Sequence, residues 1–278
     1  MERKTNKNLD IIVLMSVYKN DNPNWVAESI NSILNQKEKF FHILLSVDGE
    51  IPPPLQDKIE TLKNSNMTIF YHKKNRGLAF RLNQMIDYAL IKYFNFCYFA
   101  RMDCDDIATV DRFIIQSTYL DNNNDIDVVG SDVIEINEFG CEISYKKMEK
   151  DHGLILKNII KKCPLNHPTV MIRKEIFENG YRYKSELKNK QDYMLWVDLL
   201  AAGFKFSNIN KPLLYFRVDK NFYNRRGMKK AFNDLKIRIA AMRKLKCFSC
   251  SNLSHATLLC ILRISPVFIK KIAYKVFR

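Results

Sequence analysis

Apolar runs alternate with helical patterns through roughly the first hundred residues of this chain. Four runs, at 9–17, 40–47, 67–71 and 94–100, have the length of strands, and the segments between them place apolar residues at helical spacing. Continuous apolar character is typical of strands that are buried on both faces of a parallel sheet. Because the intervening helices would cover those faces, the pattern predicts a doubly wound α/β fold.

Polar side chains follow these strands where each one ends. Asp21, Asp48, Arg76 and the group at 103–106 all stand at such positions. The carboxyl ends of parallel strands share one edge of a sheet, and ligands bind there. The chain has neither Gly-x-Gly nor Gly-Lys-Ser/Thr, so the dinucleotide fingerprint and the P-loop are excluded. A phosphate would have to be held by a metal and by basic side chains such as Arg76 and Arg101, although either arginine could instead be a structural ion-pair partner.

Three carboxylates, Asp103, Asp105 and Asp106, come directly after the fourth apolar run. Such a concentration of negative charge beside a buried strand is unfavourable unless a positive charge lies there. Hard cations such as Mg²⁺ or Mn²⁺ prefer carboxylate oxygens, so a metal site is one interpretation. The other is that Asp105 and Asp106 only cap a helix expected to begin near Thr109.

Two further side chains in the second half of the chain could take part in chemistry. His167 is neutral at pH 7 and could bind a metal or contact a phosphate, but a histidine before proline is equally a local turn residue. Asp192 lies in the first turn of a helix predicted from Gln191 to about Ala202, where the helix dipole favours its ionised form. It could be a helix cap, or a base that removes a proton from a substrate hydroxyl.

The positive charge of the chain is concentrated near its end. The net charge is +15, and the segment 225–278 holds 14 basic residues and one acidic residue, Asp234, so that the remainder is nearly neutral. Helical apolar spacing in this segment predicts amphipathic helices lying on an anionic membrane surface. Alternatively, the helices pack on the preceding α/β domain, or the segment binds nucleic acid or another acidic polymer.

No apolar run is long enough to span a membrane, and the run at 11–17 is interpreted as a strand and not as a signal peptide. The seven cysteines show no disulfide framework, and Cys247-x-x-Cys250 has no second pair that would complete a zinc site. Reduced thiols in the cytoplasm are therefore expected.

Six motifs occur in a recognisable order and at recognisable separations. They are MSVYKND at 15–21, SVDGE at 46–50, NRGLAFRLN at 75–83, ARMDCDDI at 100–107, NHPTVMIRK at 166–174 and QDYMLW at 191–196. In this arrangement, residues 9–218 resemble the family-2 glycosyltransferases of the GT-A fold. The similarity is greatest to bacterial enzymes that build O-antigen, capsule and exopolysaccharide. The fold implied is a mostly parallel nucleotide-binding sheet flanked by helices, followed here by a basic amphipathic helical tail.

The resemblance implies roles in binding a nucleotide-diphospho-sugar donor. Val17, Tyr18 and Asp21 would line the nucleotide pocket. Asp48 would accept a hydrogen bond from the base, and Arg76 would lie near the base or the phosphates.

The resemblance also implies a metal site and a catalytic base. Asp103 and Asp105 match the Asp-x-Asp motif, in which Asp105 would be the direct ligand of Mn²⁺ or Mg²⁺, and Asp106 extends the motif. His167 would lie near the diphosphate. Asp192 matches the base, although the residue before it is Gln, where the family often has Glu.

The implied activity is an inverting transfer to a saccharide acceptor, often lipid-linked, in bacterial surface polysaccharide biosynthesis. Residues 1–220 would form the catalytic domain, with a nucleotide-sugar half at 1–107 and an acceptor half at 108–220. Residues 221–278 would associate with the cytoplasmic face of the inner membrane. No specific nucleic acid is expected as a partner, and the sequence predicts no oligomeric state. A glycosyltransferase-like scaffold without catalysis is the remaining alternative.

Overall fold

The computed structural model describes residues 9–38, 40–187, 189–218 and 228–265. Its strands join into one sheet in the order β3-β2-β1-β4-β8-β6-β9-β5, with β7 paired to β6. The strands are β1 (Ile11–Val17), β2 (Phe41–Val47), β3 (Met67–Tyr71), β4 (Tyr98–Arg101), β5 (Ile107–Ala108), β6 (Val128–Ile136), β7 (Glu142–Lys146), β8 (Met171–Arg173) and β9 (Phe206–Arg217).

Helices cover both faces of this sheet. They are α1 (Pro23–Leu34), α2 (Pro53–Leu62), α3 (Leu78–Lys92), α4 (Arg112–Asn122), α5 (His152–Asn158), α6 (Lys174–Glu178), α7 (Gln191–Ala201), α8 (Met228–Lys244) and α9 (Cys250–Ile264), with a 3₁₀ turn at His167–Thr169. The predicted α/β fold is confirmed.

Strand β1 shows why the first apolar runs are continuous. Ile12 and Leu14 face a core shared with α3, α7 and α8. Ile11, Val13 and Met15 face the opposite core, which they share with α1, α2 and α4. Because successive side chains of a strand point to opposite faces, a strand covered on both sides needs apolar residues at every position.

The sheet is parallel in its first half and mixed in its second. β1 pairs in parallel with both β2 and β4, and β2 pairs in parallel with β3. β8 then joins β4 in the antiparallel sense and continues the sheet to β6, which is antiparallel to β8 and parallel to β9. Residues from both predicted halves of the catalytic domain therefore contribute to one continuous sheet.

Two sequence predictions near the carboxylates were wrong. The fourth strand begins at Tyr98 and not at residue 94, and the side chain of Phe94 is 78% exposed. The helix expected from Thr109 begins at Arg112, so Asp105 and Asp106 do not cap it, and the short strand β5 follows them instead. The interpretation of these aspartates as helix caps is thereby excluded.

The C-terminal helices pack on the rest of the protein along one side. Ala241 and Met242 of α8, together with Ala256 of α9, are buried in the core that also contains α7. The opposite side of α9 is exposed at Leu258 and Ile261. Within the described residues, no helix combines the length and the apolar character needed to cross a bilayer. Residues 266–278, the last part of the basic segment in which amphipathic helices were predicted, lie outside the described residues.

Candidate functional site

The turn after β1 places Tyr18 and Asp21 at the edge of the sheet. The Tyr18 backbone N–H donates to Asp21 Oδ2 at 2.9 Å. Asn22 then caps the start of α1, because its side chain accepts hydrogen bonds from the backbone N–H groups of Asn24 and Trp25. Val17 is fully buried, whereas the Tyr18 side chain is exposed. The turn therefore presents Tyr18 and Asp21, but not the Val17 side chain, to a ligand.

Asp48, at the end of β2, is a buried carboxylate with three donors. Oδ1 accepts from the Arg76 backbone N–H at 2.9 Å and from Arg81 Nε at 2.6 Å, and Oδ2 accepts from the Gly77 N–H at 2.7 Å. These bonds fix the start of α3. Because each carboxylate oxygen has two lone pairs, Oδ2 keeps one acceptor position for a further donor.

The Arg76 side chain is exposed at the same edge. Its guanidinium lies 3.7 Å from the centroid of the Phe80 ring, in a cation–π arrangement. The stacked guanidinium still presents its N–H groups, so it remains available to a phosphate or a base. Arg101, the other arginine named from the sequence, is buried and pairs with Asp103.

The three carboxylates after β4 form a compact group. Asp103, Asp105 and Asp106 each offer an oxygen within 4.8 Å of the others. Asp106 Oδ1 accepts from the Arg217 backbone N–H at 2.8 Å. Asp106 Oδ2 is buried and has no hydrogen-bond partner among the described residues.

The electrostatics of this group favour a divalent cation. Burial and the neighbouring Asp103 raise the pKa of Asp105 to about 6. Burial and the charges of Asp105 and Asp103 raise the pKa of Asp106 well above its usual range. A bound cation would neutralise these repelling charges and would supply the partner that Asp106 Oδ2 lacks. Because the donor set consists of hard oxygens, it fits Mg²⁺ or Mn²⁺.

Arg217, the last residue of β9, connects this group to other elements. Its Nε donates to the Asp105 carbonyl oxygen at 2.9 Å, and its Nη2 forms a 2.6 Å ion pair with Glu28 of α1. Its guanidinium also lies over the Trp25 ring. The end of β9 therefore holds the loop that carries the carboxylates.

A cleft of about 460 Å³ adjoins the carboxylate group. Asp103, His167 and Asp192 line it together, and they come from the first and second halves of the chain. Its other lining residues are Leu78, Ala79, Leu82, Lys146, Cys163, Leu165, Asn166, Pro168, Tyr183, Lys190, Gln191 and Phe216. The predicted base and one carboxylate of the predicted metal site thus face a common space.

His167 is held in the wall of this cleft. Its Nε2 is 2.9 Å from the Tyr183 hydroxyl, and its ring packs edge-on against Tyr183 and Trp196. Burial, with a further contribution from Arg101, lowers the pKa of His167 well below its usual value. The imidazole is therefore neutral at physiological pH.

Asp192 lies in the first turn of α7, one residue beyond Gln191, where the helix begins. The residue at the N-cap is Lys190, which has φ of 63° and whose side chain makes no capping hydrogen bond. Burial raises the pKa of Asp192, Lys190 opposes that rise, and Asp103 adds to it. A carboxylate whose pKa is moved toward neutrality is a better proton acceptor than an ordinary one.

Gln191, which replaces the Glu often found in the family, has a contact of its own. Its Nε2 donates to the Leu187 carbonyl oxygen at 2.6 Å. A glutamate could not donate this bond, so the amide stabilises the loop that leads into α7.

All seven cysteines are free. Cys247 and Cys250 belong to no group of three metal-ligating side chains in the part of the chain that the structure describes.

Several residues that support the site have no recognisable signal in the sequence. Arg81, Arg217 and Lys190 are each held in place by partners far away in the sequence, so local pattern gives no signal for them. Asp234 does have a signal in the sequence, because it is the single acidic residue of 225–278.

The sequence matches a family model described as glycosyl transferase family 2 over residues 12–180. An uncharacterized glycosyltransferase of Haemophilus influenzae is 29% identical over 219 residues, which cover 77% of this chain and 78% of that protein. The Escherichia coli UDP-Gal:alpha-D-GlcNAc-diphosphoundecaprenol beta-1,3-galactosyltransferase is 30% identical over 231 residues, which cover 81% of this chain and 80% of that protein.

Solved structures share the fold at low sequence identity. Staphylococcus aureus TarS 1–349 in complex with UDP-GlcNAc superposes with a TM-score of 0.61 at 15% identity, over 92% of this chain and 82% of that one. The Pyrobaculum calidifontis mannosyltransferase PcManGT, in complex with GDP-Man and Mn²⁺, gives a TM-score of 0.56 at 11% identity, over 95% of this chain and 78% of that one. The family match covers more than half of the chain, and the α/β sheet and the relatives agree with it. The chain therefore belongs to glycosyl transferase family 2, and it is a glycosyltransferase with a GT-A-like fold.

Proposed function

We propose that this enzyme transfers a sugar, with inversion, from a nucleotide-diphospho-sugar to a lipid-linked saccharide acceptor in the biosynthesis of a bacterial surface polysaccharide. The observation that carries the proposal is the cleft shared by Asp192 and Asp103, beside a compact group of three carboxylates. A base and a site for the diphosphate are thus adjacent, as the transfer requires. The donors named in related proteins are UDP-sugars and a GDP-sugar.

The residues take complementary roles in this reaction. The nucleotide is bound at the ends of β1, β2 and β3 by Tyr18, Asp21, Asp48 and Arg76. Asp103, Asp105 and Asp106 hold Mn²⁺ or Mg²⁺, which when bound neutralises charge developing on the diphosphate leaving group. Neutral His167 lies beside the diphosphate without adding a positive charge.

Asp192 acts as the general base. Its carboxylate takes the proton of the acceptor hydroxyl while that oxygen forms a bond to the anomeric carbon. The bond between the anomeric carbon and the diphosphate breaks on the opposite side, which inverts the anomeric centre and releases the nucleoside diphosphate. A positioned base contributes on the order of 10²- to 10⁴-fold to the rate.

The proposed acceptor and the proposed position of the protein at the membrane rest on features outside the cleft. The relative from Escherichia coli is named for an acceptor linked to diphosphoundecaprenol, which is a membrane lipid. Leu258 and Ile261 form an exposed apolar side of α9. The sequence after α9 contains further basic residues. Each basic residue near an anionic bilayer adds roughly 1 kcal/mol of attraction. We therefore infer that the protein is peripheral on the cytoplasmic face of the inner membrane.

The experiment is a transfer assay with UDP-Gal, UDP-GlcNAc and GDP-Man, each with Mn²⁺ or with a chelator. Asp105→Ala should abolish transfer, and Asp192→Asn should slow it by roughly 10²- to 10⁴-fold. Asp125→Asn serves as a control because Asp125 is an exposed carboxylate paired with Lys205. An unchanged rate in both site variants would exclude the proposed mechanism. Binding of a donor with no turnover by the unsubstituted protein would favour the scaffold alternative.

Membrane binding is tested separately by sedimentation with phosphatidylglycerol vesicles and with phosphatidylcholine vesicles. Leu258→Asp should reduce binding to the anionic vesicles without changing the melting temperature, because this side chain is exposed. Salt-sensitive binding to DNA with none to vesicles would favour the nucleic-acid alternative instead.

A further inference from the structure

The loop that leads into the helix of Asp192 is held by the C-terminal helices. Lys190 Nζ lies 3.2 Å from Asp234 Oδ1 of α8. One residue earlier, Asn189 Oδ1 accepts a hydrogen bond from Asn233 Nδ2 at 2.7 Å. Two consecutive residues of the loop are therefore bonded to two consecutive residues of α8.

Asp234 is the centre of this arrangement. Besides Lys190, it contacts Arg238 Nε at 2.9 Å within α8 and Arg263 Nη1 at 3.0 Å from α9. Its carboxylate is 5% exposed. Burial alone would raise the pKa of Asp234, but Lys190, Arg238 and Arg263 outweigh it and lower the value to about 2. The single acidic residue of 225–278 is thus ionised, and it joins three elements.

The backbone at Lys190 needs such support. Its φ of 63° lies in the left-handed region, which a lysine adopts only when its surroundings hold it there. The Lys190 carbonyl oxygen also accepts the Met194 N–H at 3.0 Å, a bond of the first turn of α7. The conformation of Lys190 therefore determines where α7 begins and how Asp192 is directed.

We propose that Asp234 and Asn233 form a latch through which the C-terminal helices position Asp192, so that Asp234 is a positioning residue for the transfer reaction. This inference rests on the proposed role of Asp192 as the base. It assigns the C-terminal helices a part in catalysis in addition to any contact with a membrane.

The structure offers a matched control on the same pair of helices. Lys244 of α8 forms a 2.6 Å ion pair with Asp198 of α7, away from the first turn, and Asp198 keeps a second partner in Lys184. Lys244→Gln therefore removes one contact between α7 and α8 without affecting the loop at 189–190.

The first test is hydrogen exchange of the full chain without substrate. Asp234→Asn should speed exchange of the Met194 amide by at least about tenfold, because its acceptor, the Lys190 carbonyl oxygen, is no longer fixed. Lys244→Gln should leave that amide unchanged. If Asp234→Asn does not fold, the same exchange measurement is made on Asn233→Ala, which removes no charge, and the same result is expected. Equal exchange at Met194 in the latch variants and in the control would overturn the proposal.

The second test separates positioning from donor binding. In the latch variants, kcat for transfer should fall by about 10- to 100-fold, the effect expected when a catalytic group is misplaced by about 1 Å. The KM for the donor should stay within about twofold, because its proposed site lies at the ends of β1, β2 and β4. An unchanged kcat, or a rise in donor KM that accounts for the whole loss, would contradict the latch. Failure of the proposed function would give a different pattern. Exchange of the Met194 amide would still be faster in the latch variants, but Asp192→Asn would keep full activity.

Discussion

Replacing Asp48 by Asn should destabilise the protein strongly, because it breaks a buried ion pair. Asp48 and Arg81 are each 3% exposed, and Nε and Oδ1 are 2.6 Å apart. An asparagine that keeps its oxygen toward Arg81 and the Arg76 N–H would place its NH₂ group toward the Gly77 N–H, which now donates at 2.7 Å. One donor would then face another donor, and Arg81 would lose its carboxylate.

The expected loss is about 3–5 kcal/mol, the range for removing one partner of a buried ion pair. For a chain of this size, that corresponds to a fall of roughly 6–10 °C in melting temperature. The measurement is urea denaturation at pH 7, with thermal denaturation as a second probe.

Asp87→Asn is the matched control, because Asp87 lies on α3, the helix that carries Arg81, and pairs with Arg182 at the surface. Exposed pairs contribute about 0–1 kcal/mol, so this variant should differ little from the original protein. If Asp48→Asn lost no more stability than Asp87→Asn, the argument that Asp48 holds the start of α3 would be refuted.

Three further outcomes are expected. Asp192→Asn should lower kcat by roughly 10²- to 10⁴-fold while donor affinity measured by calorimetry is unchanged, and a parallel loss of donor binding would contradict its role as base. Mn²⁺ at a hundred times its dissociation constant should stabilise the protein by about 2.7 kcal/mol in a thermal-shift assay, and Asp105→Ala should abolish this gain. Burial, Asp105 and Asp103 raise the pKa of Asp21 to about 7. Between about pH 4 and 7, the metal-free folded protein therefore binds a proton that the unfolded chain releases. Its free energy of unfolding should fall as the pH rises through that window, and Asp21→Asn should flatten the fall measured with a chelator present.

The parallel half of the fold was predictable because its signals are local. β1 and β2 are buried on both faces, so their residues are almost all apolar, and the polar group after each strand is visible in the sequence. The resemblance implied that Asp103 and Asp192 take part in the same reaction, and the structure brings both side chains to one cleft.

The remaining features depend on contacts between distant parts of the chain. Phe94 looked like part of a strand because it is apolar, yet the chain pairs with β1 only from Tyr98 onward. Arg217 reaches Glu28 across 189 positions, and no local pattern signals such a pair. The contact of Lys190 with Asp234 exists only once α8 has docked on α7, so periodicity could not reveal it.

The part of the chain that follows α7 contacts both the carboxylate loop and the residues next to Asp192, which are the two parts of the proposed reaction centre. Arg217 supports the carboxylate loop, and Asp234 supports the approach to Asp192. A graft that takes only the C-terminal helices from a relative, in order to change what the enzyme glycosylates, would therefore separate Asp234 from the Lys190 it matches. Chimeras should retain turnover only when residues 189–190 are exchanged along with the helices. The shortest segment that can be exchanged with activity retained therefore begins before α7.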